Sequence, residues 1–422
     1  MTVRPSERAL KAAAAVSEER LWARLMEMAR YGARPDGGVC RQALTPEDRA
    51  ARRVFVERAR ERGYAVSVDP AANLFVRRDG GGNRSAILTG SHMDSQPAGG
   101  RFDGIYGVLA GLEAIDAIGD AGIALPRPIE VEAWTNEEGG RFAPGAMGSM
   151  AWSGHTPLEA FHDVTDADGT RFVDALEETL AAEADLDRRP LGGRPHAYLE
   201  AHIEQGPVLE RDGVDLAAVT GIQGWRWFRV EVTGRGAHAG TTPLAGRRDA
   251  LQAAVRAIEA LNRLMADPDD VVRFTVGRMV VEPNSPNTVP ERVVFTIDFR
   301  HPDLDALTRL GDRIPEVVAG AVRPCEAEVV ETTANPPNRF PETIVSLVEQ
   351  CARALGHSVT RLPSGAFHDA SFVASVCPTG MIFVPCRDGI SHHPDEYAEP
   401  HHLAAGARTL TAALVTLAEG DD

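Results

Sequence analysis

Three short apolar runs in this chain stop abruptly at polar residues. Ser85 to Thr89 runs into Gly90-Ser91-His92, Ile129 to Trp134 into Thr135-Asn136-Glu137-Glu138, and Ala197 to Ile203 into Glu204-Gln205-Gly206. Runs this short suit buried strands better than buried helices. The first leads through a Gly-rich turn into Ile105 to Ile118, which has the length and composition of a buried helix. Strand, polar turn and helix are the repeating unit of an α/β fold. In open α/β sheets the ligand crevice lies beyond such strand ends, so the polar residues closing each run are the first candidates for a site.

Ahead of this region, Ser6 to Arg30 reads as a surface helix, and Thr45-Pro46-Glu47-Asp48 supplies an N-cap, a first-turn proline and early acids for another. The character changes between about Gly221 and Pro336. Trp225 to Val232 and Val293 to Phe299 read as strands and Arg247 to Met265 and Asp303 to Val322 as helices, a rough β, α, β, β, α, β order. Asn335-Pro336-Pro337 marks a return to the α/β pattern, with a strand at Gly380 to Val384 and a final helix after Pro400. The expected division is therefore residues 1–220 and 337–422 as a catalytic α/β domain, with 221–336 inserted. Gly80-Gly81-Gly82 is expected at a loop tip.

Two domains also suit the length of 422 residues. A net charge of -17 leaves no basic excess to neutralise phosphates, which excludes nucleic acid as a partner. Only Lys11 is a lysine, so the positive charge is almost all arginine. The five cysteines, Cys40, Cys325, Cys351, Cys377 and Cys386, are scattered and form no CxxC pair, so neither a disulfide framework nor a thiolate zinc site is indicated. With no apolar run of signal or membrane-spanning length, a reducing cytoplasm is the expected location.

The residues closing the apolar runs are of the types a divalent metal wants: His92 and Asp94, then Asp103, then Glu137-Glu138, then His202. A further cluster, Ser391-His392-His393-Pro394-Asp395-Glu396, follows the last strand. Imidazoles mixed with carboxylates, without thiolates, suit zinc and also manganese, cobalt or nickel. One such residue alone is more often a satisfied buried hydrogen-bonding group; their shared position at strand ends is what points to a common crevice.

The strings GSHMDS, GGRFDGIYG, TNEEGGRFAPGAMGS, HIEQGP, GAHAGTTP and GISHHPDE occur in that order. Together they closely resemble the hydantoinase/carbamoylase subgroup of the di-zinc aminoacylase and carboxypeptidase superfamily. That subgroup contains N-carbamoyl-L-amino-acid hydrolases, β-ureidopropionases and allantoate amidohydrolases. The resemblance spans about residues 85 to 396 and implies a di-zinc exopeptidase-like α/β catalytic domain with an inserted ferredoxin-like α+β lid that also dimerises.

Residue by residue, the resemblance implies that His92, Asp103 and His202 hold one metal and Asp103, Glu138 and His392 the other, with Asp103 bridging. Glu137 would be the general base that takes a proton from the attacking water and returns it to the leaving nitrogen. Asp94 would stand behind His92 and orient its imidazole. His393 competes with its neighbour His392, and the Ser-His order of the motif favours His392. His238 would donate to the tetrahedral oxyanion, in the partner subunit's active site. Asn287 and Arg300 match positions that bind the substrate carboxylate, for which an arginine fork is suited; Gln205 and His368 resemble substrate-pocket residues. This chain has Phe367 where the family more often shows glycine.

The expected reaction is hydrolysis of a non-peptide C–N bond in a small N-carbamoyl or ureido acid by a homodimer carrying two divalent ions, zinc first among them. His202 carries the subclass, since the family's peptidases commonly place a carboxylate there. The alternative is an aminoacylase or metallopeptidase using the same two-metal site; a fold-retaining binding protein is a third reading, against which every ligand position is filled.

Overall fold

The structure is a computed structural model that describes residues 4–82 and 84–420. It divides into two compact units, Met1–Gly221 with Arg339–Asp422, and Ile222–Asn338.

The first unit is built on a ten-stranded mixed sheet. At its centre four strands run parallel in the order Thr379–Val384, Ala197–Ile203, Ile87–His92 and Ile129–Trp134. Every residue of these four strands is buried, because helices cover the sheet, and this is why they read as unbroken apolar runs. The helix Ile105–Asp120 follows the strand Ile87–His92 and is buried from Ile105 to Ile118. Gly107 allows its close approach, since a Cβ there would run into the main-chain oxygen of Ala201. The final helix, Pro400–Glu419, packs on the same helix.

The N-terminal segment corrects the expectation of one surface helix over Ser6 to Arg30. It forms two helices, Glu7–Ala14 and Glu18–Met28, which bury Ala9, Ala12, Ala13, Leu21, Leu25 and Met28. The break falls at Ser17, whose side chain caps the second helix by accepting from the Arg20 backbone N–H. Its own N–H donates to Glu113 at 2.8 Å. A serine cap is worth about 1 kcal/mol; with a buried carboxylate taking the Ser17 N–H, a new helix start outcompetes continuation. Thr45 caps Pro46–Glu61 by accepting from Asp48. Gly80-Gly81-Gly82 lies in a loop.

The second unit is an antiparallel four-stranded sheet in the order Arg273–Glu282, Arg292–His301, Gly224–Thr233, Glu326–Asn335. Helices Ala250–Leu264, Leu304–Gly311 and Ile314–Ala321 pack on one face against Val230, Phe295, Ile297 and Phe299. Chain order β, α, β, β, α, β with this strand order is ferredoxin-like. Two boundaries differ from the sequence reading. The first helix begins at Ala250, capped by Asp249, rather than at Arg247. The single helix expected over Asp303 to Val322 is two, because Pro315 in the first turn of the second has no N–H to continue the ladder.

Candidate active site and metal centre

His92 closes its strand and His202 lies one residue from the end of the neighbouring parallel strand, which sets their ring centres 6.1 Å apart. Asp103 reaches between them from the turn before the Ile105–Asp120 helix. One carboxylate oxygen, Oδ1, lies 3.2 Å from His202 Nε2 and 3.9 Å from His92 Nε2. The other, Oδ2, lies 3.2 Å from His392 Nε2, which also lies 3.2 Å from Glu138 Oε2. Two groups able to hold an ion therefore share Asp103: His92, Asp103 and His202, and Asp103, Glu138 and His392. Glu137 stands beside the first, with Oε2 3.5 Å from His92 Nε2.

Local backbone geometry makes this convergence possible. Gly104 has φ of 66°, and a Cβ there would run into the His92 ring. Asn136, Gln205 and His392 take φ of 57°, 56° and 54°, a region that costs a non-glycine residue roughly 1–2 kcal/mol. Strain of this kind concentrates where a site over-determines the backbone.

Support from behind fixes the ligand atoms. His92 Nδ1 contacts the Asp94 main-chain oxygen at 2.9 Å, and His202 Nδ1 the Ile203 main-chain oxygen at 2.8 Å. Both rings thus donate backwards from Nδ1 and present Nε2 to the cluster. Asp94 stands behind His92 and orients it through its main-chain oxygen, while its carboxylate is 3.7 Å from Nδ1 and accepts from the backbone N–H groups of Glu137 and Glu138, both at 3.2 Å. Gln96 holds the Glu138 carboxylate, donating from Nε2 at 2.8 Å and from its backbone at 3.2 Å.

The electrostatics of the cluster fit a cation. Burial, with Asp103 close by, pushes Glu138 up to about 8. Burial, with Asp369 and Glu138 close by, pushes Glu137 well above the usual carboxylate range. Burial alone would depress His202, yet its hydrogen bond to Asp103 carries it to about 9. The hydrogen bond to Asp103 likewise raises His392 to about 9. Carboxylates crowded out of water demand compensating positive charge, and here protons on imidazoles supply it. Divalent ions would supply it better, and the oxygen and imidazole donors are of the right kind for zinc. Gln205 Oε1 is buried and has no hydrogen-bond partner among the described residues.

The remaining candidates fall into two places. In the first unit, Gln205 Nε2 donates to Asp103 Oδ2 at 2.9 Å. His368 is 1% exposed, packs its ring edge-on to His202 and contacts Ser364 Oγ through Nε2 at 2.9 Å. With Glu200 and His202 it makes a third cluster of ligand-type atoms. His393 points elsewhere, 3.6 Å from Asp395. In the second unit, His238 is exposed and pairs across a two-stranded ladder with Thr288, next to the exposed Asn287. His238 Nδ1 accepts from the backbone N–H groups of Gly240 and Thr241 at 3.1 and 3.2 Å, which leaves the proton of the neutral ring on Nε2. Arg300 is the penultimate residue of the strand Arg292–His301 and donates to Asp298 from Nε and Nη2.

Sequence reasoning singles out neither Gln96 nor the pair Ser391 and Glu396, which contact the cluster directly, nor the buried Asp369, whose charge bears on Glu137. Ser391 and Glu396 belong to a motif that was read for its histidines. Nothing local marks Gln96, since its partner is 42 residues away.

Two groups of ligand-type side chains on an α/β sheet share Asp103, and comparison with known proteins is specific. The profile of peptidase family M20/M25/M40 matches residues 88–416. An N-carbamoyl-L-amino-acid amidohydrolase of Rhizobium meliloti is 39% identical over 410 residues, 96% of this chain and 97% of that protein. An allantoate amidohydrolase of Bacillus subtilis (strain 168) is 33% identical over 394 residues, 93% of this chain and 95% of that protein. The crystal structure of an amidase of the hydantoinase/carbamoylase family from Burkholderia multivorans superposes with a TM-score of 0.90 at 44% identity, covering 96% of this chain and 98% of that one. The chain belongs to peptidase family M20/M25/M40, in its hydantoinase/carbamoylase branch.

Proposed function

We propose that this protein is a metal-dependent amidohydrolase that cuts a non-peptide C–N bond in a small N-carbamoyl or ureido acid, such as an N-carbamoyl-L-amino acid, N-carbamoyl-β-alanine or allantoate. The observation that carries this reading is Asp103 shared between two three-residue donor groups, with Glu137 alongside, in a chain that aligns over nearly its whole length with an N-carbamoyl-L-amino-acid amidohydrolase.

His92, Asp103 and His202 would hold one divalent ion and Asp103, Glu138 and His392 the other, zinc being the first choice with manganese, cobalt or nickel also suited. Such ions, when bound, polarise the scissile carbonyl and make water nucleophilic at neutral pH. Glu137 takes one proton from the attacking water and delivers it to the nitrogen that leaves as the C–N bond breaks. The carbamic acid formed from the carbamoyl group falls apart to carbon dioxide and ammonia. His238, whose Nδ1 accepts two backbone N–H groups and so leaves Nε2 to donate, would serve the developing oxyanion in the partner subunit's active site. Arg300 and Asn287 hold the substrate carboxylate, and Gln205 and His368 complete the pocket.

The assembly is a homodimer in this reading. Its support is the edge strand Arg273–Glu282, ten residues long with Met279 and Val280 each 39% exposed, an edge suited to pairing with a second copy. All five cysteines are unpaired, which suits the cytoplasm. No described helix is long and apolar enough to cross a membrane.

Chelation tests the metal dependence. Ammonia release from an N-carbamoyl amino acid should vanish with the ions and return when zinc is added back. Turnover that persists in fully stripped protein contradicts it.

A further inference from the structure

Glu396 is 2% exposed and its carboxylate spans two loops. Oε1 accepts from the backbone N–H groups of Phe102 at 2.8 Å and Asp103 at 3.1 Å. Oε2 lies 2.9 Å from the Ser391 hydroxyl. That hydroxyl lies in turn 2.8 Å from Asp103 Oδ2, the oxygen facing His392. One carboxylate thus holds the main chain on which Asp103 is mounted and, through one hydroxyl, the side chain itself. The space is closed to adjustment, because a Cβ on Gly100 would run into the Glu396 carboxyl.

We propose that Glu396 and Ser391 are positioning residues that set the Asp103 carboxylate between the two ion sites. The inference rests on the reading of Asp103 as the ligand both ions share. A bridging carboxylate must offer its two oxygens in fixed directions, and a carboxylate free to rotate on a turn would serve one ion at the expense of the other. The clamp also ties the turn at 102–103 to the loop at 391–396, which carries His392. Two residues of the second donor group are therefore fixed by one carboxylate that belongs to neither group.

Counting protons tells which replacements the clamp tolerates. The Ser391 hydroxyl has one proton and stands at hydrogen-bond distance from two carboxylate oxygens, one of which, Asp103 Oδ2, also accepts from Gln205 Nε2, so a replacement at 396 that brings its own donor frees the Ser391 proton for Asp103. A glutamine at 396 provides that donor: its Oε1 keeps both backbone N–H groups and its Nε2 donates to Ser391, whose proton then goes to Asp103. A leucine of similar length provides neither.

The test is chelator-competition affinity for zinc, with kcat and KM alongside, for the full chain and its variants S391A, E396L, E396Q and the double variant S391A/E396L. Groups that orient metal ligands typically cost roughly 10–100-fold in affinity or rate when removed. S391A and E396L should lose zinc affinity in that range, with the loss of rate in kcat rather than KM. E396Q should stay close to wild type, and the double variant should be no worse than the poorer single one, as expected of residues acting as one unit. Thermal unfolding of the ion-free proteins separates folding from positioning, and if E396L does not fold, S391A and E396Q still decide. Folded S391A binding zinc as tightly as wild type, or E396Q failing as badly as E396L, overturns the clamp. Wild-type protein with no tight zinc site overturns the metal assignment itself, a result distinguishable from either.

Discussion

His392 Nε2 lies 3.2 Å from Glu138 Oε2, yet the histidine side chain is 48% exposed and the glutamate side chain 4%. The second donor group thus has a buried wall and a solvent-facing edge, whereas His92, Asp103 and His202 are all buried. Ions should therefore exchange more readily at the second position. H392A should keep one tightly held ion and lose affinity for the other by more than about tenfold, the scale at which even supporting groups act. H393A, altering a ring turned toward Asp395, should keep both. Stoichiometry after dialysis against a weak chelator reads the difference.

E137Q should retain both ions and lose turnover by roughly 10²–10⁴, the usual contribution of a positioned proton carrier. Metal content measured with kcat on the same preparation checks this. Turnover near the wild-type rate removes Glu137 from the role of base.

D94A would leave the backbone N–H groups of Glu137 and Glu138 without their shared acceptor. Each unpaired buried donor costs about 1–3 kcal/mol. The expected result is a lowered denaturation midpoint together with a depressed kcat, since the same two N–H groups hold the 137–138 turn in place. An asparagine, with one acceptor oxygen, should fall between alanine and wild type.

R300A should raise KM for the acid substrate far more than it lowers kcat. A hydrogen bond to a charged group contributes about 1.5–3 kcal/mol, so kcat/KM should fall by roughly one to two orders of magnitude. The corresponding amide of the substrate, lacking the carboxylate, should barely distinguish the variant from wild type. Equal losses on both substrates would place Arg300 outside carboxylate recognition.

What could be read from the sequence was what neighbouring residues decide. The apolar runs ending in His92, Trp134 and Ile203 are buried on both faces of the sheet, and burial of that kind leaves an unbroken pattern in the chain. The family motifs named residues that the fold gathers around Asp103. What could not be read depends on distant partners. Ser17 starts a new helix because Glu113, 96 residues away, takes its N–H. Glu396 acts on Phe102 across 294 residues, and nothing in SHHPDE marks its last residue above the histidines. That Asp94 orients His92 through its main-chain oxygen is likewise invisible in the sequence, since every residue type has that atom.

The reaction proposed for Asp103 and its partners is hydrolysis of a ureido acid. Its most direct test is ammonia release by zinc-reconstituted protein from N-carbamoyl-L-amino acids, N-carbamoyl-β-alanine and allantoate, with amine release from an N-acetyl amino acid and a dipeptide measured alongside. Ammonia from at least one ureido acid, with little or no amine from the acyl and peptide substrates, is the predicted result. Amine release from the acyl or peptide substrates, with every ureido acid left intact, would contradict it.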